Sequence, residues 1–206
     1  MKSMNKYLQQ ILLLGGVVCA FSCTNSNPEK IVALTNTAKS DPPAHQFPFY
    51  KDISIRPGLD FEVVSWGKGK DSVGGYLVLM SDSVKNNFKS VSVERNGVVK
   101  DAWNMDLDHD GNPELYVELM TKGNIPDLNV YEFSGGSFQK ISFPGLGDKW
   151  KKVYSGNDQF QIKNGDLYRS FEIKNSTDSN EKSPAKTLLK YNLSGNTFSS
   201  SEVKNP

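Results

Sequence analysis

From residue 61 onward, hydrophobic and polar positions alternate in short runs bounded by turn residues, the pattern of half-buried β-strands. Phe61-Glu62-Val63-Val64-Ser65-Trp66 is one such run, and the more continuously apolar Gly75-Tyr76-Leu77-Val78-Leu79-Met80 predicts a central strand. Residues 88–95 alternate cleanly, Asn96-Gly97 follows, and a further run covers 98–103. Asn-Gly accepts the positive φ values of a two-residue turn, so this pair predicts a hairpin. The second half continues in the same style, with strands expected at 115–120, 128–133, 138–143, 160–162, 167–173, 188–193 and 198–203. Turns are expected at Gly135-Gly136, Asn164-Gly165 and Ser194-Gly195. Residues 174–186 are polar and hold Pro184, so they read as a loop, and a helical turn fits only at 145–153. No helical period separates the strands. The expected fold is therefore all-β, an antiparallel β-sandwich of about eight strands joined by hairpins. Tyr, Phe, Val and Ile on one face of each strand supply its core, and strand lysines keep its edges from pairing with other chains.

The N-terminus follows a different rule. Lys2 and Lys6 precede an apolar run over residues 7–21. A spanning helix needs roughly 20 apolar residues, whereas a signal-peptide core needs about 7–15. The segment Ala20-Phe21-Ser22-Cys23, a small residue before a cysteine, resembles the bacterial lipoprotein signal, with Ala20 where Leu or Val is usual. Cys19 is the rival anchor, but Val18 is a poor small residue before it. The chain has two cysteines, both in this segment. Cleavage before Cys23 leaves a domain without disulfides, stabilised by its core alone. Cys23 is then the lipid attachment point, and several acyl chains hold a protein firmly where one does not. The competing reading is an ordinary signal peptide with an incidental cysteine. Residues 24–30 are polar, Asp41-Pro42-Pro43 is stiff, and Ile31-Val32-Ala33-Leu34 interrupts them, which reads as a tether. The expected organisation is a lipoprotein signal peptide at 1–22, a lipidated N-terminus and flexible tether at 23–46, and a single β-sandwich domain at 47–206. Thr24, where the lipoprotein resemblance would put aspartate for inner-membrane retention, points to the outer membrane of a bacterial cell envelope, facing the periplasm or the surface.

The formal charge is +1, with 24 basic residues against 23 acidic ones, and Lys2 and Lys6 are among the basic ones. A near-neutral domain gives no reason to expect nucleic acid. The chain has two histidines, one in the tether (His45) and one in an acidic loop (His109). Neither has a partner segment for a serine triad or a zinc site. The expectation is a protein that acts by binding and is not an enzyme; a homodimer is left open.

The densest chemistry is Asp106-Leu107-Asp108-His109-Asp110-Gly111-Asn112-Pro113-Glu114. Asp-x-Asp-x-Asp-Gly opens an EF-hand calcium loop, in which alternate carboxylates converge because the chain turns at the glycine. Asp106, Asp108 and Asp110 would supply side-chain oxygens, Asn112 a backbone carbonyl, and Glu114 the ninth-position ligand. Val117 stands where the twelfth-position glutamate belongs, and the flanks read as strands, so this is not an EF-hand. It is similar to acidic strand-to-strand loops of β-propellers and sandwiches. One reading is a Ca²⁺ site that stiffens a hairpin; the other is a turn capped by Asp and Asn side chains.

With these segments in view, the chain resembles the periplasmic inhibitors of invertebrate-type lysozyme. The resemblance is carried by Asn96-Gly97, Trp103 and the acidic loop through Leu115-Tyr116-Val117. Further on it is carried by Asp127-Leu128-Asn129-Val130-Tyr131-Glu132-Phe133 and Tyr154-Ser155-Gly156-Asn157-Asp158-Gln159-Phe160. Asn164-Gly165-Asp166-Leu167-Tyr168-Arg169-Ser170-Phe171 and Leu188-Leu189-Lys190-Tyr191-Asn192-Leu193 complete the order, over residues 90–200. It implies a β-sandwich that presents a loop to the cleft of a muramidase, whose paired acidic groups flank the scissile bond. In the family that loop is rich in glycine and serine and inserts a serine and a tyrosine. The matching Thr121-Lys122-Gly123-Asn124-Ile125-Pro126-Asp127 is shorter and has neither. Lys122 and Asn124 are the candidates to meet acidic groups there; the alternative is a plain turn held by Gly123 and Pro126.

Overall fold

The computed structural model of the protein describes residues 47–67, 74–174 and 185–204. Within them the chain forms three antiparallel sheets of four strands. Sheet 1 holds β1 (Phe49–Arg56), β2 (Leu59–Gly67), β3 (Gly74–Asp82) and β4 (Asn87–Glu94). Sheet 2 holds β5 (Gly97–Met105), β6 (Glu114–Thr121), β7 (Pro126–Ser134) and β8 (Ser137–Ile141). Sheet 3 holds β9 (Tyr154–Lys163), β10 (Asp166–Ile173), β11 (Ala185–Ser194) and β12 (Thr197–Glu202). Every sheet is a meander, each strand pairing with the one before it. The short helix α1 (Asp148–Lys151) lies in the stretch expected to hold a helical turn.

The all-β, sandwich-like architecture is as the alternation requires, with twelve strands where about eight were expected, and three layers in place of two. Two apolar cores explain the third layer. The first joins Phe61, Val63, Tyr76 and Val78 of sheet 1 to Leu115, Val117 and Leu119 of sheet 2. The second joins Tyr116, Leu128 and Val130 of sheet 2 to Leu167, Phe171, Leu189 and Tyr191 of sheet 3. Sheet 2 is therefore buried on both faces. That is why residues 115–117 read as an unbroken apolar run, each fully buried. Full burial of each such side chain contributes about 1.5–3 kcal/mol.

The hairpin signals divide into two kinds. Asn164-Gly165 does what its sequence demands: φ is 54° and 82°, and Lys163 pairs with Asp166 across the turn. Gly135-Gly136 and Gly195-Asn196 also close two-residue turns. Asn96-Gly97 does not. β4 pairs with β3 and β5 with β6, so the pair marks the crossing from sheet 1 to sheet 2 and is not a hairpin. Glycine is needed there for a different reason: a Cβ on Gly97 would stand 2.4 Å from the Met120 carbonyl oxygen. Arg95 braces the crossing, donating from Nη1 to the Gly97 carbonyl at 2.8 Å and from Nε to the Trp66 carbonyl at 3.3 Å.

Sheet 3 carries a buried ion pair. Asp158 accepts from Arg169 Nη2 at 2.5 Å and Nε at 2.6 Å, with the two side chains 0% and 6% exposed. The Tyr154 hydroxyl donates to the same carboxylate. These contacts make a strand of the Ser155-Gly156-Asn157-Asp158 stretch, which has no apolar alternation of its own. Of the loop expected at 174–186, residues 175–184 lie outside the described residues, and Ala185 and Lys186 belong to β11. The signal segment, Cys23 and the tether lie outside the described residues. Among the described residues no helix is long and apolar enough to cross a membrane.

Candidate metal centre

The acidic loop joins β5 to β6, and the Met105–Glu114 pair closes it. Two positive φ values, 59° at His109 and 85° at Gly111, curl the chain back on itself. Backbone amides then fix the carboxylates. Gly111 N–H donates to Asp106 Oδ2 at 3.2 Å, and Asn112 N–H donates to Asp110 Oδ1 at 2.8 Å. The Asn112 side-chain amide donates to the other Asp110 oxygen, also at 2.8 Å. Asn112 thus orients Asp110 with both its amides.

Glu114 sits beneath the loop as the first residue of β6 and is fully buried. Its Oε2 accepts from the Leu107 N–H at 2.8 Å and from the Tyr116 hydroxyl at 3.5 Å. Its Oε1 is buried and has no hydrogen-bond partner, and the same holds for Asp108 Oδ1. One carboxylate oxygen each from Asp106, Asp108, Asp110 and Glu114 lies within 4.8 Å of the others. Burial pushes the Glu114 carboxyl up to about 8; the Leu107 N–H pulls it down, and the carboxylates of Asp108, Asp106 and Asp110 push it up again. Burial, followed by the nearby Glu114, raises the Tyr116 phenol as well, so it stays a protonated donor.

Buried polar atoms are normally satisfied, because leaving one bare costs about 1–3 kcal/mol, and more if it is charged. Here two bare oxygens belong to carboxylates of one tight acidic cluster. A cation bound by oxygen ligands would remove both penalties at once. The donor set is all carboxylate, hard and flexible, which suits Ca²⁺ with its six to eight oxygens better than zinc, which favours nitrogen and sulfur. The residues present fit such an ion. Of the residues expected from sequence, Asp106, Asp108, Asp110 and Glu114 come together in this cluster.

Three contributors were not evident from sequence. Leu107 buries its side chain in the second core while its N–H holds Glu114. Tyr116 is buried in that core and supplies the hydroxyl. Trp103 stacks on Tyr116 with ring centroids 5.7 Å apart and planes 2° from parallel. The one hint in the sequence was an apolar residue, Leu107, inside an otherwise charged loop.

Lys122 and Asn124 are placed elsewhere. They are exposed in the β6–β7 turn, at the far end of the eight-residue β6, roughly 24 Å from the acidic loop by strand rise. That turn is tightly closed. Thr121 Oγ1 donates to the Ile125 carbonyl at 2.6 Å, and Asn124 N–H to the Thr121 carbonyl at 3.2 Å.

Fold and loop together define a three-layer antiparallel β-protein with a carboxylate cluster in one hairpin loop of its central sheet. Searches of protein-family models, of curated proteins and of solved structures find no match to this chain.

Proposed function

We propose that the protein is a non-catalytic binding module, tied to a bacterial cell envelope by lipid on Cys23 and stabilised by Ca²⁺ in the β5–β6 loop. The observation that carries the metal part is the bare, buried Oε1 of Glu114, a carboxylate clustered with three aspartates. Tb³⁺ is a fitting probe, because it takes the same oxygen ligands as Ca²⁺ and its luminescence is sensitised by nearby aromatic rings, here Tyr116 and the Trp103 stacked on it. Tb³⁺ emission that Ca²⁺ displaces, and that Glu114→Gln abolishes, supports the reading; no sensitised emission removes it. The anchor is tested separately: mass spectrometry of the mature N-terminus should find an acylated Cys23, and an unmodified N-terminus rejects it.

A second reading is that the module blocks an invertebrate-type lysozyme or a similar muramidase. It is favoured by the exposed β6–β7 turn, closed by the Thr121–Ile125 hydrogen bond, which is the stretch that the resemblance matches to the family's inserted loop. A preformed turn enters a cleft with little ordering cost. Adding the purified protein to such a lysozyme should lower its activity, and Lys122→Ala and Asn124→Ala should weaken the effect. Undiminished lysozyme activity at high micromolar protein rejects this reading.

A further inference from the structure

The two outer faces of the stack are built differently. On sheet 3, outward charges face their opposites: Asp166 pairs with Lys190 at 2.8 Å, and Glu172 stands opposite Lys186. Sheet 1 shows no such balance. Asp52 and Glu62 are cross-strand neighbours on its outer face, Asp60 lies one row along, and Glu94 lies beside Gly75 on β3. Tyr50 donates to Glu62 Oε2 at 3.2 Å and Ser54 to Asp60 Oδ1 at 2.7 Å, which fixes the rotamers of both acids. Among the described residues, none of these four carboxylates pairs with a lysine or arginine.

Aromatic and apolar side chains are interleaved with the acids. Trp66 stands opposite Gly75, and a Cβ on that glycine would come within 2.6 Å of the indole. The ring therefore lies across the glycine, with 39% of the residue left in solvent. Phe88 is 68% exposed, and a 410 Å³ depression lies between it and Glu62, over Leu79, with Lys89 as the one cation in its lining. Exposed aromatics grouped on one face mark binding surfaces more often than single exposed side chains do.

The charge on this face selects its occupant. A second copy docked by two-fold symmetry would set the same acids against themselves, which is repulsive. A neutral glycan could stack on Trp66 but would leave the negative charge uncompensated. Arginine and lysine satisfy both features, because their stems pack on aromatic faces while their heads meet the carboxylates. We infer that the outer face of sheet 1 docks an Arg- and Lys-bearing segment of a cationic protein. This rests on the binding role proposed above and names its partner class; it does not depend on the metal.

Titrating the full chain with a fluorescent oligo-arginine peptide tests the assignment. Binding should weaken steeply with added salt. The near-isosteric pair Asp60→Asn with Glu62→Gln should weaken it about tenfold, and Trp66→Ala by a similar factor. Glu172→Gln on sheet 3 should change nothing, and oligo-glutamate should not bind. Circular dichroism checks that each variant keeps the fold; the two amide substitutions preserve shape if Trp66→Ala does not. Equal affinity across all variants overturns the inference. So does a dimer in sedimentation that Trp66→Ala dissociates, or a neutral oligosaccharide that displaces the peptide and is indifferent to Asp60 and Glu62. Loss of peptide binding with Tb³⁺ uptake intact would reject this face alone, whereas the reverse result would reject the metal alone.

Discussion

Glu114→Gln should stabilise the metal-free protein and make it nearly blind to calcium. In the folded chain the Glu114 carboxyl is raised from 4.5 to about 8. Each unit of such a shift is worth about 1.4 kcal/mol. At pH 7 the unfolded chain holds this group ionised, while the folded chain still holds a proton on it, so folding gives up roughly 3 kcal/mol. Glutamine resembles the protonated acid: its carbonyl can accept the Leu107 N–H, and its amide can donate toward the aspartates. Removing the charge should return about 2–3 kcal/mol of stability in chelator, or roughly 5–10 °C in Tm for a domain of this size. The wild-type protein should recover a similar amount from calcium, since a ligand at 100 times its Kd stabilises by about 2.7 kcal/mol. Differential scanning fluorimetry of both proteins, each with EDTA and with excess CaCl₂, reads all four values. The variant should be the more stable in EDTA, and wild type alone should gain appreciably in calcium. A variant less stable than wild type in EDTA would refute the claim that the carboxylates repel. A variant with an undiminished calcium shift would show that Glu114 does not face the ion.

The same carboxyl fixes a pH dependence. Because its folded pKa lies above its unfolded one, its contribution is full below about 4.5 and is lost as pH rises through about 8. Tm in EDTA should fall across that window, and in Glu114→Gln the fall should flatten; parallel curves would reject the assignment. Arg169→Ala leaves Asp158 buried without its cation and should cost about 3–5 kcal/mol in urea unfolding; a loss under about 1 kcal/mol would mean that water enters the site. Gly97→Ala pushes a methyl group against the Met120 carbonyl and should cost about 1–3 kcal/mol. Gly145→Ala, with nothing within 4 Å of its Cβ, is the control that should stay within about 0.5 kcal/mol of wild type.

Alternation made many strands legible because it records burial on one face, as in β10, where Leu167, Arg169 and Phe171 are buried and the residues between them are not. The signal failed where an inward position carries a charged side chain and burial alternates without an apolar rhythm. β1 carries the half-exposed Lys51 on its inward side, where it meets Asp101 at 2.5 Å on the neighbouring sheet, so its apolar rhythm skips a beat. β9 carries Asp158 inward for the same kind of reason. The Asn-Gly pair at 96–97 was misread because a turn and a close strand crossing ask for the same glycine. Only pairing partners distinguish them, and those are not local.

The acidic loop shows how far spacing reaches. Three aspartates at alternate positions before a glycine are enough to say that their carboxylates converge. Spacing does not say that Glu114 lies under them without water, and it is this burial that makes a cation worth binding. Burial there comes from Leu107 and Tyr116, whose side chains belong to the core shared with sheet 3. Any ion in the loop is therefore coupled to the packing of that sheet: Tyr116 meets Phe198 of β12 at 6.5 Å, and Leu107 shares its core with Leu193 of β11. Hydrogen exchange should then show calcium protecting β10 and β11 more than β2 and β3, whose core shares neither residue. Protection confined to β5 and β6 would mean that the ion merely stiffens its own hairpin, and equal protection of all three sheets would mean that the coupling does not run through this core.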